Sequence, residues 1–143
     1  MKNFVLFLIT AVLAYGYIQN QGLSLPAPGI SNGDNQAVQE AYSQGRSDVQ
    51  LTARGVVDRL LRDDREGSRH QKFLLRLDNG LTVLISHNID LAPRIAELNK
   101  GDSVEFYGEY EWNSKGGLVH WTHHDPNKNH VDGWLKHRGR TYQ

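Results

Sequence analysis

Ser103–His123, SVEFYGEYEWNSKGGLVHWTH, is the stretch on which the fold turns. Val104, Phe106, Tyr110 and Trp112 fall on one side of an extended chain, with Gly108 among them. Glu105, Tyr107, Glu109 and Glu111 fall on the other. A period of two with one apolar side is the mark of a strand half-buried in a sheet. Ser114–Gly117 then reads as a turn, and Leu118–His123 as the strand that returns from it.

Working outward, His70–Leu77 alternates in the same way, placing Phe73, Leu75 and Leu77 on one face. Asn79-Gly80 follows, a pair that favours a tight hairpin because both residues accept positive φ. Leu81–Ile89 is the returning strand. Val49–Leu61 is a further β-rich run, and Gly55 in its middle marks a bend or bulge of the kind small barrels use to turn a corner. Between Ile89 and Ser103 the pattern changes. Leu91, Ile95 and Leu98 recur at spacings of four and three, Asp90 suits an N-cap and Pro93 suits a first turn, so Asp90–Leu98 is expected to be one short helix.

Three strands in a meander, a short helix and a two-strand hairpin make the order of the OB-fold. That fold is a five-stranded partly open barrel. A small sandwich is the competing architecture, and the helix between strands 3 and 4 favours the barrel. The expected class is therefore mainly β, an OB-fold-like domain over residues 48–143 with a histidine-rich, irregular and cationic C-terminal tail. In this arrangement Trp112 and Trp121 belong to the core, and Trp134 pins the tail to the barrel.

The chain before the barrel is of a different character. Phe4–Ile18 is an uncharged apolar run preceded by Lys2, matching the n- and h-regions of a secretory signal. It is shorter than the roughly 20 residues of a full membrane span. Residues 1–18 are read as a signal peptide or an uncleaved anchor, which predicts a domain exported to the periplasm or held at the inner membrane. Residues 19–47, rich in Gly, Pro, Asn, Gln and Ser, are read as a flexible linker with a short helical piece from Gln36 to Tyr42.

The 143 residues carry 16 basic and 16 acidic side chains and no cysteine. The balance counts against binding to nucleic acid by phosphate neutralisation, which leaves a basic excess. Without cysteine there is no disulfide, thiolate metal site or cysteine nucleophile, so any bound metal must use imidazole and carboxylate.

Five of the seven histidines lie in Gly116–His137, GGLVHWTHHDPNKNHVDGWLKH. Imidazole is a metal ligand and titrates near neutrality, so this density draws attention. If Val119 and Trp121 enter the barrel, His120 faces outward beside the row of glutamates on the neighbouring strand. The ligand types then suit zinc, nickel or copper. The candidate metal set is His120, His124, Asp125 and His130 with Glu109. The wider candidate binding surface is His120, Trp121, His123, His124, Asp125 and Trp134. The competing reading leaves these histidines as hydrogen-bonding groups of a polar tail, and His87 as satisfying backbone groups at a strand end.

His70-Gln71-Lys72-Phe73, HNIDLAPRI (His87–Ile95), GDSVEFYGEYEWN (Gly101–Asn113), GGLVHWTHHDP (Gly116–Pro126) and Gly133-Trp134 together resemble a bacterial family catalogued only as a domain of unknown function. The resemblance spans roughly Leu51 to Gln143. It implies an OB-like fold in an exported or anchored setting and supplies no activity or catalytic residue.

Three functional readings follow. The first is a non-enzymatic binding module for a small molecule or an envelope protein, touching membrane only through the N-terminal segment. The second is a metal-dependent hydrolase, a nuclease among the options, with the histidine cluster as ligands and Glu109 or Glu111 as general base. The third, nucleic-acid binding through Arg54, Arg59, Arg62 and Arg69, is disfavoured by charge and by export.

Overall fold

A computed structural model describes residues 32–143 of the chain. Helix α1 (Asn32–Ser43) is followed by β1 (Val49–Leu60), β2 (His70–Leu77), β3 (Thr82–Asn88), β4 (Ser103–Glu111), β5 (Leu118–His120), β6 (Trp134–His137) and β7 (Arg140–Tyr142). The strands form one sheet in the order β1-β2-β3-β5-β4-β6-β7, and β1 also pairs with β4. That last pairing closes β1, β2, β3, β5 and β4 into a five-stranded barrel. All neighbours are antiparallel except β3 and β5.

Closure depends on β1 serving two partners. Its first half runs along β4, from Val49 opposite Tyr110 to Val56 opposite Ser103. Its second half runs along β2, with a register shift between Val57 and Arg59. Gly55 is shared by both ladders, and a Cβ there would lie 2.6 Å from the Arg76 carbonyl oxygen. The bend anticipated at this glycine is therefore a consequence of close backbone approach, and the bulge follows just beyond it.

The alternating residues fill the barrel. Phe73, Leu75, Val83, Ile85, Val104, Phe106, Tyr110 and Val119 are buried together. Of the Asn79-Gly80 pair only Gly80 takes a positive φ, 87°; its N–H donates to the Leu77 carbonyl at 3.1 Å, so the hairpin turns without the left-handed asparagine expected of a two-residue Asn-Gly turn. Tyr110 reaches the other turn, its hydroxyl donating to the Gly116 carbonyl at 2.9 Å.

Both mouths of the barrel are covered, each in a way that departs from expectation. Residues 90–98 form turns rather than a helix. The reason is a buried glutamine. Gln71 Nε2 donates to the Ile95 carbonyl at 2.9 Å, and its Oε1 accepts the Ile95 N–H at 2.9 Å. The Pro93 carbonyl is likewise taken by His87. With the Ile95 N–H and C=O and the Pro93 C=O engaged by β2 and β3, the i to i−4 ladder goes no further than the bond from Ala92 N–H to the Asn88 carbonyl at 3.1 Å. Asp90, expected as an N-cap, accepts from the Arg69 backbone and guanidinium instead. Ile95 and Leu98 enter the core as anticipated, whereas Leu91 is 44% exposed.

At the opposite mouth lies α1, which contains the expected helical piece Gln36–Tyr42 but is longer and packs on the barrel where a flexible linker was read; residues 19–31 of that stretch, and the apolar run 4–18, lie outside the described residues. Val38 and Ala41 of α1 are buried in the core cluster. Asn35 serves as one more rung of the sheet, accepting the Arg54 N–H at 3.1 Å and donating to the Arg54 carbonyl at 3.0 Å and to Asp78 Oδ1 at 2.6 Å. Asn35→Ala should strand these groups and cost about 2 kcal/mol, read as a lower urea midpoint at unchanged m-value.

The far end of α1 explains Trp112. It is 43% exposed rather than core, because β4 ends at Glu111. Its ring stacks on Tyr42 at 6.5 Å, and its Nε1 donates to the Tyr42 carbonyl at 3.0 Å. The C-terminal tail also differs from expectation. β6 pairs with β4 and β7 folds back on β6 through Arg138-Gly139, whose φ values of 49° and 75° allow a two-residue turn. Leu135 and Tyr142 are buried there.

Candidate metal-binding face

The outward side of β4 carries Glu105, Tyr107, Glu109 and Glu111, as the alternation requires. β5 sets His120 opposite Glu109 in register, and His120 Nε2 lies 3.3 Å from Glu111 Oε1. One ligand atom each from Glu109, Glu111 and His120 lie within 4.8 Å of one another. None of the three is fully exposed; the Glu109 side chain retains 14% of its surface, Glu111 29% and His120 35%.

β5 stops after His120 because Trp121 adopts φ 54°, a left-handed turn that breaks the ladder. The chain then passes over the outer face of β4 instead of continuing as a strand. Trp121 is consequently outside the barrel, contrary to the expected core position. Thr122 and His123 are buried where the chain turns. Trp121 serves as a platform, since the His130 ring stacks on it at 3.9 Å with an 8° interplanar angle. From there His130 Nε2 bonds the Glu109 carboxylate, while its Nδ1 donates to the Val131 carbonyl at 2.8 Å.

Asp125 shapes the loop that delivers His130. Its Oδ1 accepts the Asn127 N–H at 3.0 Å, and its Oδ2 accepts those of Asn129 and His130 at 2.7 and 2.8 Å. Asp132 accepts the Asp125 N–H at 2.8 Å and the His124 Nδ1–H at 2.9 Å. His123 Nδ1 donates to the His124 carbonyl at 2.7 Å.

The electrostatics single out Glu111. Burial raises the Glu111 pKa, the Asp48 and Glu109 carboxylates raise it further, and His120 opposes them. Burial by itself would lower His130; the Val131 carbonyl and the Glu109 carboxylate outweigh it, so its pKa lies above the ordinary histidine value. Asp125 is held below the usual carboxylate range, first by the Asn127 N–H and then, against burial, by those of Asn129 and His130. Carboxylates crowded in this way, beside an imidazole, form a place where a cation would relieve repulsion.

Of the residues singled out from sequence, the structure brings Glu109, His120 and His130 together. It engages Asp125, His124 and His123 in holding the loop. Trp134 lies half-buried on the outer face of β6, opposite Tyr107, with ring centroids 6.0 Å apart and Lys136 Nζ 4.2 Å from its ring. Glu111 was read as part of the outward row and as an alternative general base, not as a ligand, yet it completes the three-donor group. The signal was available, because Glu109 and Glu111 share a face two residues apart, beside the strand bearing His120. Asp48 was not legible; it comes near through the left-handed kink, φ 58°, that opens β1.

A family model described as "Protein of unknown function (DUF3465)" matches residues 23–143, and the chain belongs to that family. The match begins upstream of α1 and takes in the barrel and the C-terminal hairpin. No curated protein matches the chain.

Proposed function

We propose that this chain is an exported, non-enzymatic binding module of the OB class that holds a divalent transition-metal ion, zinc above all, through Glu109, Glu111 and His120. The single observation supporting the metal is the set of three donor atoms within 4.8 Å of one another. Zinc–ligand bonds of about 2.1 Å in a tetrahedral arrangement separate donor atoms by roughly 3.4 Å. Small side-chain rotations suffice to close that difference. Two carboxylates and a neutral imidazole balance the charge of a dication, and His130 orients Glu109 as a partner behind the ligand.

The OB assignment is supported by the closed order β1-β2-β3-β5-β4 with its parallel β3–β5 pair. Export is supported by the Phe4–Ile18 run; among the described residues no helix is long and apolar enough to cross a membrane. The module reading is preferred to hydrolysis because Asp125 and His124, needed as ligands in the hydrolase set, already bond the loop. A small molecule or an envelope protein remains the partner class for the surrounding surface.

The test is elemental analysis of the full chain purified without a histidine tag or chelator. About one zinc, nickel or copper per chain, lost in Glu111→Gln and in His120→Ala, is the expected result. Metal at a hundredfold excess over its dissociation constant should add about 2.7 kcal/mol to stability. Absence of metal, with unfolding unmoved by any of the three ions, overturns the proposal.

A further inference from the structure

We propose a second binding site, for a phosphate-class oxyanion, in the cleft between the β1–β2 connection and the segment after β3. The cleft measures about 590 Å³ and is lined by Leu61, Arg62, Asp63, Arg65 and Arg94. This is a size at which proteins hold small ligands. Three guanidinium groups face one carboxylate there, leaving two positive charges, the complement of a phosphomonoester dianion.

Arg94 is already oriented. Its Nε lies 3.0 Å from Asp63 Oδ2 and its Nη2 3.2 Å from Asp63 Oδ1, a two-point fork that fixes the plane of the guanidinium. The β1–β2 connection is also held by its backbone. Leu61 N–H donates to the Lys72 carbonyl at 3.1 Å, and Asp64 and His70 exchange bonds of 2.9 and 3.0 Å. The ladder therefore continues past β1 and sets the positions from which Arg62 and Arg65 project.

The neighbouring cations are spent on carboxylates: Arg69 on Asp90, Lys72 on Asp64 and Arg76 on Asp58. Among the described residues, Arg62 and Arg65 have no carboxylate within 4.0 Å. Arg59 is free as well but does not line the cleft. Guanidinium is weakly hydrated and presents paired donors that match phosphate oxygens, so it gives up little on binding them. The source of the phosphate is either a free phosphorylated solute or the headgroup of a lipid with a terminal phosphate. The site is independent of the metal-binding face, so failure of one leaves the other standing.

Titration calorimetry on the full chain in neutral detergent distinguishes these sources. The probes are inorganic pyrophosphate, dihexanoyl phosphatidic acid and, as the uncharged-headgroup control, dihexanoyl phosphatidylcholine. Binding of pyrophosphate, weakened at least about tenfold in the Arg62→Ala/Arg65→Ala double variant and unchanged in Lys115→Ala, supports the site with a soluble ligand. Phosphatidic acid binding more tightly than pyrophosphate, with the same dependence on the two arginines, supports the headgroup. Both arginines are exposed, so the double variant should keep the parent circular dichroism spectrum. The proposal is overturned if neither anionic probe binds, if the control lipid binds equally, or if the double variant binds as the parent does.

Discussion

Gly133→Ala should destabilise the domain by about 3 kcal/mol or more and weaken the proposed metal binding by roughly ten- to a hundredfold in the molecules that remain folded. A Cβ at this position would overlap the Trp121 carbonyl oxygen, lie 2.5 Å from the Tyr107 carbonyl oxygen and 2.9 Å from the Trp121 carbonyl carbon. These are backbone atoms, so no side-chain rotation makes room. The Gly133 N–H also donates to the His123 carbonyl at 2.9 Å. The only relief is for the 121–133 loop to lift from β4, which draws His130 away from Glu109 and removes the Trp121 platform. Gly45→Ala is the comparison. Gly45 has φ 64° and open space around it, so alanine there should cost only about 1 kcal/mol of backbone strain. Urea unfolding followed by far-ultraviolet circular dichroism, with metal analysis of each variant, reads both effects. A Gly133→Ala protein within 1 kcal/mol of the parent would mean that the loop is not seated on β4 as described.

How much of this was legible in the chain depends on where each interaction partner sits. The strands were readable because alternation and a tight turn are local: Phe106 and Tyr110 face inward and Glu109 and Glu111 outward, as the period of two demands. The meander and the final hairpin follow from that pattern and need no distant information. Asp90–Leu98 failed as a helix for the opposite reason. Its local pattern is helical, and a single distant side chain, Gln71, captures both backbone groups of Ile95. Helix α1 was legible as the helical piece Gln36–Tyr42, but its seating on the barrel was hidden because its buried positions, Asn35, Val38 and Ala41, are small or polar and its flanks are rich in Gly, Asn and Ser. The β6–β7 hairpin was hidden by a turn of Arg138-Gly139, in which a left-handed arginine stands where asparagine is the usual signal. At the candidate metal-binding face, the glutamate row and His120 could be placed from strand register alone. Which histidine joins them could not. That choice rests on the left-handed turn at Trp121 and on the Asp125 bonds that carry His130 back over the sheet.

The second large effect is on acid stability, and it resides in His87. This histidine is fully buried, with Nε2 3.0 Å from the Pro93 carbonyl and Nδ1 2.8 Å from Thr122 Oγ1. A carbonyl only accepts, so Nε2 carries the proton and Nδ1 accepts from the threonine hydroxyl. The neutral ring thus satisfies both partners and ties β3 to the barrel's lower closure and to the chain beyond β5. Burial is the main reason its pKa falls from 6.5 to about 4, with nearby His123 and His70 adding to the fall and the Pro93 and Thr122 bonds opposing it. Folding therefore excludes a proton that the unfolded chain accepts. Stability from this residue is complete above pH 6.5 and is lost as pH falls toward 4, by about 3 kcal/mol in total. His130 works in another window. Its raised pKa gives stability that is full below the ordinary histidine value and lost as pH rises through its own. The lowered aspartates, Asp64, Asp90, Asp102, Asp125 and Asp132, weaken the fold only as pH drops below 3.8. Between pH 6.5 and 4 the loss of stability on acidification therefore belongs to His87, opposed by Glu111, whose raised pKa makes its protonation favour the folded chain as pH falls. Urea midpoints measured at half-unit steps across that range should fall steeply in the parent and only slightly in His87→Gln, whose amide can donate to Pro93 but does not titrate. Parallel slopes in the two proteins would remove His87 as the source and place the acid sensitivity elsewhere in the barrel.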